Sequence, residues 1–132
     1  MKYLKLSLLL LFCSIITNEI FVFADDTFPL SGTVTVTSSN WDSTGNRSKI
    51  NANYQKIKIT RATCDNCYFT VKPYNTNGTT VTATTHVNIG VTTTLDSRAI
   101  YTGTWYAKIK RGDFSLINQT AGYTYDPNAL VL

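Results

Sequence analysis

The sequence predicts an all-β fold, a small antiparallel β-sandwich (jelly-roll or Ig-like), with a small β-barrel as the alternative closure. Three observations carry this expectation. The chain is crowded with Thr, Val, Ile and Tyr, which favour strands, and with Asn and Gly, which favour turns. Short apolar/polar alternations recur along it, separated by Gly, Asn and Asp clusters. Strong helix formers are sparse, and beyond residue 24 there is neither Glu nor Met.

The N-terminus is set apart from the fold. Lys2 and Lys5 precede an apolar run over residues 6–16, and Val22-Phe23-Ala24 precedes Asp25-Asp26. That is the pattern of a secretory signal peptide, cleaved after Ala24. The run is shorter than the ~20 residues that span a bilayer, and Glu19 stands three residues beyond its end. Phe12 before Cys13 excludes a lipoprotein signal, which needs a small residue there. The expectation is a signal peptide over residues 1–24 and one β-sandwich domain over residues 25–132, secreted and without a transmembrane segment once the signal is removed. About 100 residues suffice for such a domain.

Residues 32–38 read as a first strand with Val34 and Val36 on one face. Residues 39–48 form a turn-rich loop containing Trp41. Residues 50–63 read as a long strand, Ile57 and Ile59 facing one way and Lys56 and Lys58 the other. Residues 68–74 come next with Phe69 and Val71 inward, and Pro73 marks an edge or an end because it cannot donate to a ladder. After the Asn-Gly turn at residues 75–78, two weaker strands are expected at 81–86 and 87–94, and residues 95–98 connect onward. The clearest strand lies in residues 101–113. Trp105, Ala107 and Ile109 share its apolar face, while Tyr106, Lys108 and Lys110 share the other. A turn at Gly112-Asp113 then lets a strand at 114–118 return, with Leu116 opposite Ile109. Residues 122–125 give the last strand, and residues 129–132 an apolar tail.

Cys64-Asp-Asn-Cys67 is the most visible motif. In an exported chain, two thiols at this spacing form a local disulfide. A redox pair would want a helix start after the first Cys, and a strand stands there instead. A zinc site would need two further ligands, and only His86 offers a strong one. The segment also carries a register argument. A two-residue turn at Asp65-Asn66 would set Ile59 opposite Lys72, and paired residues share a face. Either the loop is odd-numbered, or the chain arches here from one sheet to the other.

For function, the pattern argues against an enzyme. His86 is the single histidine, no Gly-x-Ser-x-Gly is present, and every aspartate falls in a turn or terminus. No cofactor motif or metal-ligand set stands out. Arg111-Gly112-Asp113 reads as a turn rather than as an adhesion tripeptide. Three sequons, at Asn46, Asn77 and Asn118, are chance matches in an Asn- and Thr-rich chain. The net charge of +4 is mild, and with export it disfavours nucleic acid as partner. It does suit anionic polymers such as wall polysaccharide or lipid head groups.

Aromatics are the positive lead. Flat rings beside amide or charged groups suit sugars, whose apolar faces stack while their hydroxyls find hydrogen bonds. The candidate ligand-binding residues are Trp41, Tyr106, Lys108, Lys110, Tyr123 and Tyr125. The phrase Gly103-Thr-Trp-Tyr-Ala-Lys-Ile109 is similar to the penultimate strands of many bacterial exported β-sandwiches, a likeness that speaks to fold alone. The resulting expectation is a secreted, non-catalytic protein binding a cell-surface or wall polysaccharide. An antimicrobial or toxin-like effector acting on other cells' envelopes is the alternative.

Overall fold

The computed structural model describes residues 28–76, 84–95 and 102–129. The expected signal peptide, the Asn77 sequon, residues 81–83, the 96–98 connection and residues 130–132 lie outside the described residues. Among those described there is no helix, and so none long and apolar enough to cross a membrane.

Nine strands among the described residues build two antiparallel sheets that pack face to face without closing into a barrel. They are β1 (Leu30–Val36), β2 (Asp42–Ser43), β3 (Arg47–Lys49), β4 (Lys56–Ala62), β5 (Tyr68–Asn75), β6 (Thr85–Asn88), β7 (Thr92–Thr94), β8 (Gly103–Arg111) and β9 (Gln119–Asp126). One sheet runs in the order β1-β9-β4-β7, the other in the order β2-β8-β5-β6, with β3 also paired to β8. This is the sandwich that the alternation predicts.

The core lies between the sheets and is filled by alternate residues. From the first sheet come Val34, Val36, Ile57, Ile59, Ala121, Tyr123 and Tyr125. From the second come Phe69, Val71, Val87, Trp105, Ala107 and Ile109. Leu95 closes one side. Burying each large side chain contributes roughly 1.5–3 kcal/mol, and this shared interior is why period two in the sequence becomes two layers in space. Trp105 is fully buried and is the largest side chain of the core, as the alternation predicts.

The long strand expected over residues 50–63 begins only at Lys56. Residues 50–55 are a loop held by the turn after β9. Asn128 accepts from the Ile50 N–H (2.8 Å) and donates to the Ser48 carbonyl (2.9 Å), while Asn51 and Asn53 donate to its carbonyl. Lys49 is buried there and donates to the carbonyls of Asn53 and Pro127. Burial lowers its pKa from the usual lysine value, and Asp126 partly opposes the shift. These are long-range partners that no local pattern announces.

β4 also carries a bulge. Ile59 pairs with Tyr123, but the next pair is Arg61 with Gly122. The extra residue reverses the alternation, so Ala62 rather than Arg61 packs against the core. Gly122 is needed here, because a Cβ on it would stand 2.8 Å from the Thr60 hydroxyl and 3.0 Å from the Arg61 side chain.

The Cys64–Cys67 segment is the arch that the register argument allowed. β4 lies in one sheet and β5 in the other, with the cysteine sulfurs bonded across the arch and the Cα atoms 5.8 Å apart. The hairpin expected between Ile109 and Leu116 does not form. Opposite Ile109 stand Val71 on one side and Asp42 on the other, so both its edges are already taken. After Gly112 the chain crosses to the other sheet, where β9 pairs along its length with both β1 and β4. Two full ladders outweigh one short return, and Leu116 is left exposed.

Pro73 is accommodated as its chemistry requires. Gly112 N–H donates to the Tyr68 carbonyl and Thr76 N–H to the Thr104 carbonyl, so the even-numbered residues of β5 bond to β8. Pro73 therefore turns its nitrogen to the β6 side, beyond Val71, the last residue of β5 paired with β6.

Candidate ligand-binding face

The even positions of β5 and β8 point away from the core and form the outer face of the β2-β8-β5-β6 sheet. On β8 these are Thr104, Tyr106, Lys108 and Lys110; on β5 they are Tyr68, Thr70, Lys72 and Tyr74. The pairing sets Tyr74 opposite Tyr106, Lys72 opposite Lys108, and Thr70 opposite Lys110. His86 and Asn88 of β6 extend the face beside Thr70 and Tyr68. Ser43 of β2 lies beside Lys108. None of these strand positions carries a carboxylate.

The rings on this face are ordered by one another. Tyr74 and Tyr106 stack with centroids 5.7 Å apart and planes 12° from parallel. Tyr68 and His86 stack at 4.1 Å and 11°. His86 Nε2 lies 2.9 Å from Asn88 Oδ1, which fixes the imidazole edge. The lysines lie against rings instead of carboxylates. Lys108 Nζ is 4.7 Å and Lys72 Nζ 5.8 Å from the centroid of Tyr74. Lys110 Nζ is 4.8 Å from the centroid of Trp41. Such contacts are worth ~0.5–1 kcal/mol at exposed sites. They hold the ammonium groups without neutralising them.

The sequence-predicted residues divide cleanly. Trp41, Tyr106, Lys108 and Lys110 come together on this face, each partly exposed. Tyr123 and Tyr125 do not belong to it. Both are buried in the core, because Gly122 and Thr124 take the outward positions of β9. Tyr125 donates its hydroxyl to Gln55 Oε1 (2.5 Å), and the Tyr123 hydroxyl accepts from the Gly45 N–H (3.3 Å). A tyrosine with a partner for its hydroxyl is a core residue, and strand position alone does not reveal that partner. Burial, assisted by neighbouring Asp126, raises the Tyr125 pKa well above the usual phenol value.

Four further residues of the face, Tyr68, Lys72, Tyr74 and His86, are absent from the sequence-predicted set. The same alternation that marks Tyr106 and Lys108 marks Tyr68, Lys72 and Tyr74 opposite Phe69 and Val71. What the sequence lacks is the statement that β5 lies beside β8, more than thirty residues away in the chain. Arg111 and Asp113 are occupied with each other at 2.7 Å and 2.5 Å, and Arg111 is buried, so the tripeptide is a structural corner.

The face is open. Defined depressions lie elsewhere, one between the disulfide arch and Ile89, another over Gly32 and Gly122 on the opposite sheet. Among the described residues no group of three His, Cys, Asp or Glu side chains converges on a common point. The arrangement offers an extended ligand flat rings and three ammonium groups along a rigid two-strand platform. The chain matches no known protein family, and no curated protein or solved structure is significantly similar to it.

Proposed function

We propose that this protein is a secreted, non-catalytic binding protein whose outer β2-β8-β5-β6 face holds an acidic polysaccharide of a cell surface or wall. One observation carries the reading. Lys72 and Lys108 are directly opposite each other on adjacent strands, with Lys110 one step further and no carboxylate among the described outward strand positions. Like charges opposed across a ladder are destabilising. A ligand that brings carboxylate, phosphate or sulfate groups removes that repulsion on binding. The half-exposed rings of Tyr74, Tyr106 and Trp41 supply the apolar planes on which sugar rings stack. From Tyr106 to Lys110 the strand runs ~14 Å, longer than a single sugar ring.

Migration through gels containing polygalacturonate, against gels containing uncharged dextran, tests this. The protein should be retarded by the acidic polymer and little by dextran. Tyr74→Ala with Tyr106→Ala should weaken retention about threefold to tenfold, from the ~0.5–1.5 kcal/mol worth of an aromatic contact. Trp41→Ala should weaken it as well, and added salt should weaken it for every form. Equal retardation of wild type and the double variant would remove the sheet face from the account.

A further inference from the structure

A second surface, adjoining the sheet face, lies at the end of the sandwich where β8 leaves for β9. Phe114, Leu116 and Ile117 are all strongly exposed, Phe114 at 102%. Three large apolar side chains exposed within four residues of one loop are unusual on a water-facing surface. Water would favour turning them inward, so what holds them out matters.

The loop is braced through its polar groups. The Arg111 guanidinium grips the Asp113 carboxylate and also donates to the Ile117 carbonyl at 3.3 Å. Ser115 donates its N–H to the Asp113 carboxylate, and that contact helps to lower the Asp113 pKa. The Ser115 carbonyl accepts from the Ser38 N–H at 2.9 Å, and its hydroxyl accepts from the Ile117 N–H at 3.3 Å. The charge of Asp113 is thus cancelled, and backbone groups at Ser115 and Ile117 are satisfied within the protein. A segment that leaves water needs this internal satisfaction, because hydrocarbon offers no hydrogen-bond partners.

The flanks also fit a lipid surface. The Ser38–Ser115 bond ties the loop to the segment that carries Trp41, a residue suited to the boundary between water and hydrocarbon. Lys110, lying over Trp41, places an ammonium group beside the tip. Among the described residues, the charges towards this end include Arg61 and Lys110 against Asp42 and Asp65, besides the self-neutralised Arg111–Asp113 pair, and the Asp42 carboxylate is engaged by the Thr35 N–H at 3.0 Å. An apolar tip beside Lys110, with Lys72 and Lys108 on the adjoining face, is complementary to a bilayer bearing anionic headgroups.

We infer that Phe114, Leu116 and Ile117 form a membrane-anchoring tip, which enters the outer layer of an anionic lipid bilayer while Trp41 and Lys110 rest at the headgroups. The inference does not rest on the polysaccharide reading, since its apolar anchors, Phe114, Leu116 and Ile117, and its ligand are different, and the two surfaces share only Trp41 and Lys110.

Flotation with vesicles tests it, using phosphatidylcholine alone and phosphatidylcholine mixed with phosphatidylglycerol. The protein should float with the mixed vesicles and more weakly with phosphatidylcholine. The F114S/L116S/I117S variant should lose about tenfold or more of its partitioning, as expected for three apolar side chains. The near-ultraviolet circular dichroism of buried Trp105 reports that the variant is folded. As a second reading, F114W emission should shift to the blue on mixed vesicles and be quenched by brominated acyl chains. The inference is overturned by undiminished flotation of the folded serine variant, by absence of flotation with both vesicle types, or by unchanged F114W emission. It is equally overturned if K72Q/K108Q abolishes flotation while the serine variant retains it. Sedimentation showing a dimer that the serine variant dissociates would assign the tip to a second copy of the chain instead.

Discussion

Single residues divide by whether the alternation of their strand turns them inward or outward. Trp105 and Phe114 show the contrast, since both are large aromatics near the end of the chain. Trp105 is fully buried, whereas Phe114 is fully exposed. Trp105→Ala should cost ~3–5 kcal/mol in urea unfolding, while Phe114→Ala should stay within ~0.5 kcal/mol. A cost below ~1 kcal/mol for Trp105→Ala would mean that β8 is inside out. Asp113 gives a pH signature. The hydrogen bond from Arg111 is the main reason its carboxyl titrates below its ordinary 3.8. The unfolded chain therefore takes up this proton at a higher pH than the folded one. The pair's contribution is complete above 3.8 and is lost as pH falls through the lowered value. Asp113→Asn should make the acid-side loss of stability shallower, as read from urea midpoints across acidic pH. An unchanged acid limb would show that the pair is not formed in solution.

At the scale of elements, the chain crosses repeatedly between the sheets. The arch from β4 to β5 carries the Cys64–Cys67 bond. So short a loop restricts the unfolded chain little, and its reduction should cost about 2 kcal/mol in the chain-entropy account. The reduced protein should therefore stay folded at moderate temperature, with a lower urea midpoint. Loss of the Trp105 near-ultraviolet signal on reduction alone would contradict this.

The inward faces of β1, β4, β5 and β8 are legible from local alternation, whereas the short β2 and β3 are not. Val34 with Val36, Ile57 with Ile59, Phe69 with Val71, and Trp105 with Ala107 and Ile109 all face the core as their spacing says. Legibility failed where the deciding partner is distant. The hairpin after Ile109 looked self-consistent because Leu116 is apolar. Nothing in those residues discloses that Val71 and Asp42 already flank Ile109. Tyr123 and Tyr125 looked like surface rings because their partners, Gly45 and Gln55, lie about seventy residues away. At Cys64–Cys67 the sequence narrowed the choice correctly. A mismatch of apolar faces required either an odd loop or an arch, and the arch is what forms.

At the scale of the molecule, two surfaces stand apart from the core. The outer face of the β2-β8-β5-β6 sheet carries Tyr68, Lys72, Tyr74, His86, Tyr106, Lys108 and Lys110, joined by Trp41. The end of the sandwich carries Phe114, Leu116 and Ile117. Lys110 and Trp41 lie between them. Half of the face was visible in the sequence, because β8 displays its two faces so plainly. The other half needed the pairing of β5 with β8, which brings Lys72 against Lys108 and Tyr74 against Tyr106. The opposed lysines are the centre of the functional account, since they are held on rings and face no carboxylate across the strands.

Backbone amide shifts followed by NMR during titration with an oligogalacturonate test that claim most directly. The account predicts the largest shifts at Lys72, Tyr74, Tyr106, Lys108 and Lys110, with β1 and β9 unmoved and the shifts suppressed by salt. Shifts centred on β1, β9 or the Gly32–Gly122 depression, or no shifts at all, would contradict it.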